Sequence, residues 1–176
     1  SQHGWGLDSS IWIKYKNQFT NNNWLWLDNE RGYFSKQSIK PKWKEDNTED
    51  SIKLAICHSL GIHLIEKEIL KEASHILLIN SFYNFIPKND ERRVTIKALK
   101  RMEKKIITSE VSLMLKEFIH KSFIPNQIDP YYESVFTRQL QTINKSLLLD
   151  DFRKLYLEKE SIPLFSNHAE ILVIKS

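Results

Sequence analysis

The 176-residue sequence lacks the features that define several classes of protein. No apolar run reaches the roughly 18 residues that a membrane-spanning helix needs. Cys57 is the only cysteine, so the chain can form no internal disulfide, and we expect a reduced, cytoplasmic environment. HExxH, P-loop, GxGxxG and GxSxG motifs are absent. The sequence therefore predicts no cofactor and no metal, and it argues against an enzyme more than for one.

Glycine is also scarce, with four residues in the whole chain. Sheets with many tight turns usually need more glycine than this, whereas helices need little, so we expect a mainly α fold. The chain begins with Ser1-Gln2 and shows no signal-peptide pattern, and we therefore expect it to be an excerpt of a larger protein.

Apolar residues recur at helical spacing from about residue 48 onward. Thr48, followed by two acidic residues, predicts the start of a helix that ends at Gly61. A second helix is predicted over 62–85 and is stopped by Pro87.

Further helices are predicted over 89–107, after Thr108, after Asp129-Pro130 and over 150–158. The apolar tail at 169–174 is too short to be assigned as a strand or a helix end. The fold prediction is therefore one domain, a bundle of five or six helices over 48–176. It follows a Trp-rich basic extension, 1–47, that is partly irregular or hairpin-like.

That N-terminal extension concentrates both tryptophan and positive charge. All five tryptophans and seven basic residues, against three acidic ones, fall within residues 1–44, and the rest of the chain is neutral. Trp24-Leu25-Trp26-Leu27 follows a turn-forming Thr20–Asn23 segment, and such bulky side chains are costly to expose at a loop tip. A bilayer interface favours tryptophan, and nearby lysines attract anionic headgroups.

The extension thus predicts a non-catalytic targeting module that recognises an anionic membrane surface or a phosphoinositide headgroup. In this hypothesis the protein is cytoplasmic and peripheral to a membrane, and Trp24, Leu25 and Trp26 insert into the lipid. The anion-binding residues are Arg31, Lys36, Lys40, Lys42 and Lys44, joined by a helical stripe of Arg93, Lys97, Lys100 and Lys104.

Other interpretations of the same residues remain open. Aromatic residues interleaved with lysines also suit single-stranded nucleic acid, and a tryptophan cluster suits a protein partner. Alternatively, Trp24 and Trp26 cover one end of the bundle, and the basic stripe is a solvated helix face.

Two Glu-x-x-His pairs occur, Glu72 with His75 and Glu117 with His120. Their spacing resembles that of the di-iron sites in the four-helix bundles of ferritin-like proteins. Helical angles turn Glu72 towards the core but Glu117 and His120 towards water. The sequence therefore argues against a metal site.

Overall fold

The fold combines helices with a parallel β-sheet. The computed structural model describes residues 1–19, 23–34, 37–44, 51–156 and 165–175, and these contain seven α-helices and three strands. The prediction of a mainly α bundle is therefore wrong. The N-terminal capping signal predicted at Thr48 lies outside the described residues.

The three strands come from segments with unbroken apolar character. β1 spans Leu54–His58, β2 spans His75–Ile79 and β3 spans Glu170–Ile174, in the order β1-β2-β3 with every pair parallel. Leu54 pairs with His75 in the first register, and His75 pairs with Glu170 in the second. The helices predicted over 48–60 and 62–85 are wrong, because buried parallel strands have near-continuous apolar sequences that periodicity does not distinguish from a helix.

Two further chain segments lengthen this sheet beyond β1. Gln2 bridges Cys57 and Asn29, in parallel on both sides. The Gln2 N–H donates to the Ile56 carbonyl at 2.8 Å, and the His58 N–H donates back to the Gln2 carbonyl at 3.0 Å. The order across the sheet is therefore Asn29, Gln2, β1, β2, β3.

Short helices connect the first two strands. α2, Gly61–Leu64, and α3, Lys67–Glu72, form the crossover from β1 to β2. Near the N-terminus, the Asp8 carboxylate caps a 3-10 turn over Ser9–Trp12, which continues into α1, Ile13–Phe19.

The chain divides into two compact units. The first comprises 1–31, 37–83 and 160–176, and its core cluster includes residues of β1, α2, α3 and β2. The second comprises 32–36 and 84–159. The predicted boundary between 47 and 48 lies outside the described residues.

The second unit is helical, and here the sequence pattern was informative. α4 spans Glu91–Ile107, α5 Val111–Phe123, α6 Pro130–Gln139 and α7 Lys145–Arg153. Asp129 caps α6 through hydrogen bonds from the backbone of Tyr131 and Tyr132, as its position before Pro130 predicted. α4 packs on α5 and α7, and it buries Leu99 and Ile106.

Candidate active site

Ser59 occupies a strained backbone position at the carboxyl edge of the sheet. It follows the last residue of β1 and precedes α2, and its φ angle is 53°. Asn23 and Asn80 are the other described non-glycine residues with positive φ, and asparagine tolerates the left-handed region. Serine pays roughly 1–2 kcal/mol there, so Ser59 is the residue whose conformation needs a functional explanation.

The surrounding backbone fixes this sharp turn. The Ser59 N–H donates to the carbonyl of Ile79, the last residue of β2, at 2.9 Å. Ser81 Oγ donates to the Cys57 carbonyl at 3.1 Å. A Cβ atom on Gly61 would lie only 2.8 Å from the Gln2 carbonyl oxygen, so only glycine lets α2 start this close to the neighbouring chain.

A second loop lies directly against Ser59. Gly4 follows the Gln2 bridge by two residues, and a Cβ atom on Gly4 would lie 3.1 Å from Ser59 Cβ and 3.0 Å from His58 Nδ1. The backbone of the Gly4 loop can approach the serine because this side chain is missing. Loops outside the carboxyl ends of parallel strands are the usual location of ligand sites in open α/β sheets.

Three adjacent segments of the sheet each place a polar residue at this edge. His3, Glu30 and His58 each directly follow one of the bridged residues Gln2, Asn29 and Cys57. His3 is fully buried and Glu30 is 2% exposed. His3 Nδ1 lies 2.9 Å from the Gly4 carbonyl oxygen, and Nε2 lies 3.4 Å from Glu30 Oε1.

The Glu30 carboxylate is held in its charged form. Burial by itself raises its pKa, but the hydrogen bond and charge of His3, together with hydrogen bonding from Ser9, outweigh burial. The net effect lowers the pKa of Glu30 from 4.5 to about 2. A buried carboxylate stays charged only with such partners, so this pair fixes the base of the Gly4 loop.

Two other buried groups flank Ser59 and are not charged at neutral pH. Burial, assisted by the nearby His3, lowers the pKa of His58 to about 4. Its Nδ1 atom has no hydrogen-bond partner among the described residues. Burial raises the pKa of the Cys57 thiol to about 12, so Cys57 is not a thiolate nucleophile.

No described histidine hydrogen-bonds to Ser59 Oγ, which has no partner in the described part of the chain. His63 Nε2 lies 2.8 Å from the Phe82 carbonyl oxygen. His75 and His168 lie at the starts of β2 and β3, at the opposite edge of the sheet.

The residues predicted to bind a membrane meet in a different part of the first unit. A cleft of about 470 Å³ is lined by Trp24, Leu25, Trp26, Trp43, Lys42 and Lys44, together with the start of β1. Trp24 is 40% exposed and Leu25 is 61% exposed. Trp26 is half-buried, because it packs on Trp12 and Phe19 and donates its indole N–H to Asp28.

The remaining predicted anion-binding residues do not line this cleft. Lys40 pairs with Glu66 at 2.6 Å, and the Arg31 N–H lies 3.3 Å from His3 Nε2. Lys36 lies outside the described residues. The four predicted residues of α4, which are exposed and belong to the second unit, are Arg93, Lys97, Lys100 and Lys104.

The paired Glu-x-x-His motifs do not form a metal centre. Glu72 was expected to face the core, but its side chain is 54% exposed and lies 3.4 Å from Lys53, because α3 ends there and His75 begins a strand. His120 pairs with Glu133 at 3.0 Å on the surface of the second unit. Within the described ranges, no three His, Cys, Asp or Glu residues are grouped as a metal site requires.

Comparison of the chain with models of known protein families, with curated proteins and with solved structures finds no match. Among the helices that the structure describes, none combines the length and apolar character that crossing a bilayer requires.

Ser59 is not among the residues predicted from the sequence, although the sequence contains a weak signal for it. Cys57-His58-Ser59-Leu60-Gly61 carries the serine and the second glycine of a GxSxG motif, but Cys57 occupies the position of the first glycine. A search that requires both glycines rejects this segment. The strand before it was also interpreted as a helix, which concealed the strand–turn–helix context that gives the motif its meaning.

Proposed function

We propose that the protein is an acyl-ester hydrolase in which Ser59 is the nucleophile. The observation that carries the proposal is the 53° φ angle of Ser59 at a strand-to-helix turn on the carboxyl edge of a parallel sheet. This is the geometry of the nucleophile elbow of α/β-hydrolases, where a strained turn exposes the serine hydroxyl at the top of the sheet.

The local sequence supports this assignment at each position. Ser59 needs a left-handed backbone, and Gly61 lets the following helix approach the Gln2 chain. Cys57 fills the position of the first glycine with a small, fully buried side chain. The strain at a polar residue with no structural hydrogen bond is typical of a functional site rather than of a turn alone.

The Gly4 loop supplies the second part of such a site. Enzymes of this type stabilise the oxyanion with the N–H of the residue after the nucleophile and with an N–H from a loop after a neighbouring strand. In this chain those positions are Leu60 and the peptide between Gly4 and Trp5, because an ideal Cβ on Gly4 would lie 3.1 Å from Ser59 Cβ. Preorganised donors of this kind supply about 10²–10³-fold in rate each.

In the proposed reaction, Ser59 Oγ attacks the ester carbonyl carbon and its proton passes to a water molecule at the open edge of the sheet. The carbonyl electron pair moves to the oxygen, and collapse of the intermediate breaks the bond to the alcohol, which leaves with that proton. Water then hydrolyses the acyl-serine and regenerates the hydroxyl. In α/β-hydrolases a histidine that follows the serine takes this proton, whereas no described histidine of this chain hydrogen-bonds to Ser59 Oγ.

Covalent labelling tests the proposal directly. The natural full-length protein is treated with a fluorophosphonate, and the modified peptide is identified by mass spectrometry together with turnover of p-nitrophenyl acyl esters. We expect one label on Ser59, and neither label nor turnover in Ser59→Ala. Ser122→Ala, which removes an exposed hydroxyl that donates only to the Phe118 carbonyl within α5, is the matched control. An unlabelled Ser59, or turnover that survives Ser59→Ala, would overturn the assignment.

Binding to an anionic lipid surface through the Trp24 cleft is a second candidate function. The observation that favours it is the exposure of Trp24 and Leu25 beside the cleft lysines Lys42 and Lys44. Apolar side chains rimmed by cations suit the boundary between acyl chains and anionic headgroups. The two functions are compatible, because an esterase held at such a surface meets its lipid-like substrates there.

A further inference from the structure

We infer that His3 and Glu30 form a positioning pair that fixes the oxyanion-binding peptide between Gly4 and Trp5. Neither residue touches the reacting atoms. They act through the backbone of the Gly4 loop, and the inference rests on the proposed function of Ser59.

The first step is the contact between the imidazole and the loop. His3 Nδ1 lies 2.9 Å from the Gly4 carbonyl oxygen. A carbonyl oxygen only accepts, so Nδ1 carries the proton and donates. In a trans peptide the N–H points opposite to the carbonyl, so this hydrogen bond sets the direction of the Trp5 N–H.

The second step is the contact that holds the ring itself. His3 Nε2 lies 3.4 Å from Glu30 Oε1, and the backbone N–H of Arg31 approaches the same nitrogen at 3.3 Å. Glu30 Oε2 accepts the Ser9 N–H at 3.0 Å. With Nδ1 donating to Gly4, Nε2 accepts the Arg31 N–H, and the Glu30 carboxylate lies beside this nitrogen while it holds the start of the 3-10 turn.

The third step is the position of the loop relative to the nucleophile. A Cβ atom on Gly4 would lie 3.1 Å from Ser59 Cβ, so the Gly4 loop approaches the serine more closely than a residue with a side chain could. His3 is fully buried and Glu30 is 2% exposed, so water cannot replace either partner cheaply. A buried carboxylate at this place costs desolvation, which an apolar residue in a purely structural role avoids.

The test measures kcat for each competent active site. Active sites of the full-length wild-type protein and of His3→Ala, Glu30→Ala and Glu30→Gln are titrated with a fluorophosphonate, and kcat and KM for a p-nitrophenyl ester are measured. We expect kcat per titrated site to fall about 10- to 100-fold in His3→Ala and about 10-fold in Glu30→Ala, with KM within about twofold. Glu30→Gln keeps an acceptor for Ser9 and a hydrogen-bonding group for His3, so it restores most of kcat.

Asp28→Asn is the matched control, because Asp28 is a neighbouring carboxylate that accepts from Lys16, Trp26 and Ser1 and not from the Gly4 loop. Unchanged kcat per titrated site in both alanine variants overturns the inference while labelling of Ser59 preserves the proposed function. A change in KM alone, or an equal loss in Asp28→Asn, also overturns it. If alanine variants do not fold, Glu30→Gln and His3→Asn decide the result, and wild-type protein without any titratable site removes both proposals together.

Discussion

Gly4 and Ser59 face each other so closely that a methyl group on Gly4 would stand 3.1 Å from Ser59 Cβ. The same methyl group would meet His58 Nδ1 at 3.0 Å and the His58 carbonyl at 3.2 Å. Two loops that are far apart in sequence therefore meet at one point of the sheet edge. The contact makes Gly4 a direct test of whether this edge is a catalytic site.

We expect Gly4→Ala to abolish ester turnover while leaving most of the fold intact. The added methyl group must displace either its own loop or the His58–Ser59 turn, and a shift of a few tenths of an ångström misaligns donor and nucleophile. A loss of at least 10²-fold in kcat is expected, with destabilisation of about 1–3 kcal/mol. The measurements are steady-state kinetics and urea unfolding. Full activity in Gly4→Ala would show that the loop takes no part in catalysis.

The strain at Ser59 predicts that Ser59→Gly is more stable than Ser59→Ala, which is the reverse of the order expected in a helix. Glycine relieves a left-handed strain of roughly 1–2 kcal/mol and loses about 0.5–1 kcal/mol in chain entropy, so Ser59→Gly should be more stable than Ser59→Ala by about 0.5–1 kcal/mol. Ser112, inside α5, is the matched control. There the glycine variant should be less stable than the alanine variant by about 1 kcal/mol. The same order at both positions would contradict the strain argument.

Much of the second unit was predictable from sequence, whereas the sheet was not. α4 and α6 carry a wide amphipathic pattern or an Asp-Pro start signal, which are local properties. β1 and β2 each consist of four apolar residues and one histidine, and their strand character depends on neighbouring strands that are distant in sequence.

The scarcity of glycine also misled the prediction for a physical reason. Antiparallel hairpins need tight turns, but parallel strands are joined by helical crossovers, which need few glycines. Gly61 was expected to end a helix, but it begins α2. Glycine is needed at this position because a Cβ atom would lie 2.8 Å from the Gln2 carbonyl oxygen. Such a constraint is set by a residue far away in the chain, and local pattern cannot reveal it.

The candidate site shows the same contrast between features that local sequence patterns reveal and features that depend on distant residues. The exposed pair Trp24 and Leu25 and the cleft lysines were found from composition, because tryptophan and charge concentrate in one segment. Ser59, His3 and Glu30 were not found, because their common feature is to follow neighbouring strands in a sheet. The order of those strands is set by the tertiary structure, which local sequence patterns do not show.

The buried Glu30 carboxylate predicts an acid-dependent loss of stability. Its folded pKa is about 2, below the ordinary value of 4.5. The stabilisation is therefore complete above about pH 4.5 and is lost as the pH falls towards 2, up to about 3 kcal/mol in total. Glu30→Gln should remove this part of the pH dependence in urea unfolding between pH 6 and pH 3. Glu117→Gln, on the exposed face of α5, should leave it unchanged, and equal slopes in wild type and Glu30→Gln would contradict the prediction.

A buried hydrogen bond makes a separate prediction for the second unit. Tyr33 OH donates to Asp151 Oδ2 at 2.7 Å, and the two residues are 0% and 1% exposed. Tyr33→Phe keeps the ring packing but removes a donor to a buried carboxyl group, so we expect a loss of about 1–3 kcal/mol. The matched control is Tyr131→Phe in α6, where the Tyr131 side chain is 69% exposed. This variant should change the free energy of unfolding by less than about 0.5 kcal/mol. Equal effects would show that the Tyr33 bond contributes nothing beyond ring burial.

The lipid-binding proposal depends on two exposed side chains, of which Trp24 makes an edge contact with Phe19. Trp24 and Leu25 are 40% and 61% exposed, whereas Trp26 packs on Trp12 and Phe19, so substitution of Trp26 would damage the fold and confuse the result. The informative variant is therefore Trp24→Ser with Leu25→Ser. We expect it to bind vesicles of phosphatidylcholine with phosphatidylserine about 10-fold more weakly than wild type in a sedimentation assay.

Charge reversal separates this surface from the basic stripe of α4. Lys42→Glu with Lys44→Glu should reduce vesicle binding by at least 10-fold and flatten its salt dependence, at about 1 kcal/mol per basic residue near an anionic surface. Lys97→Glu with Lys100→Glu, on exposed positions of the second unit, is the matched control and should bind as wild type does. If the control variant alone loses binding, the anionic surface is recognised by α4. If all variants sediment equally, the exposed indole has another purpose, and the esterase proposal stands without a membrane.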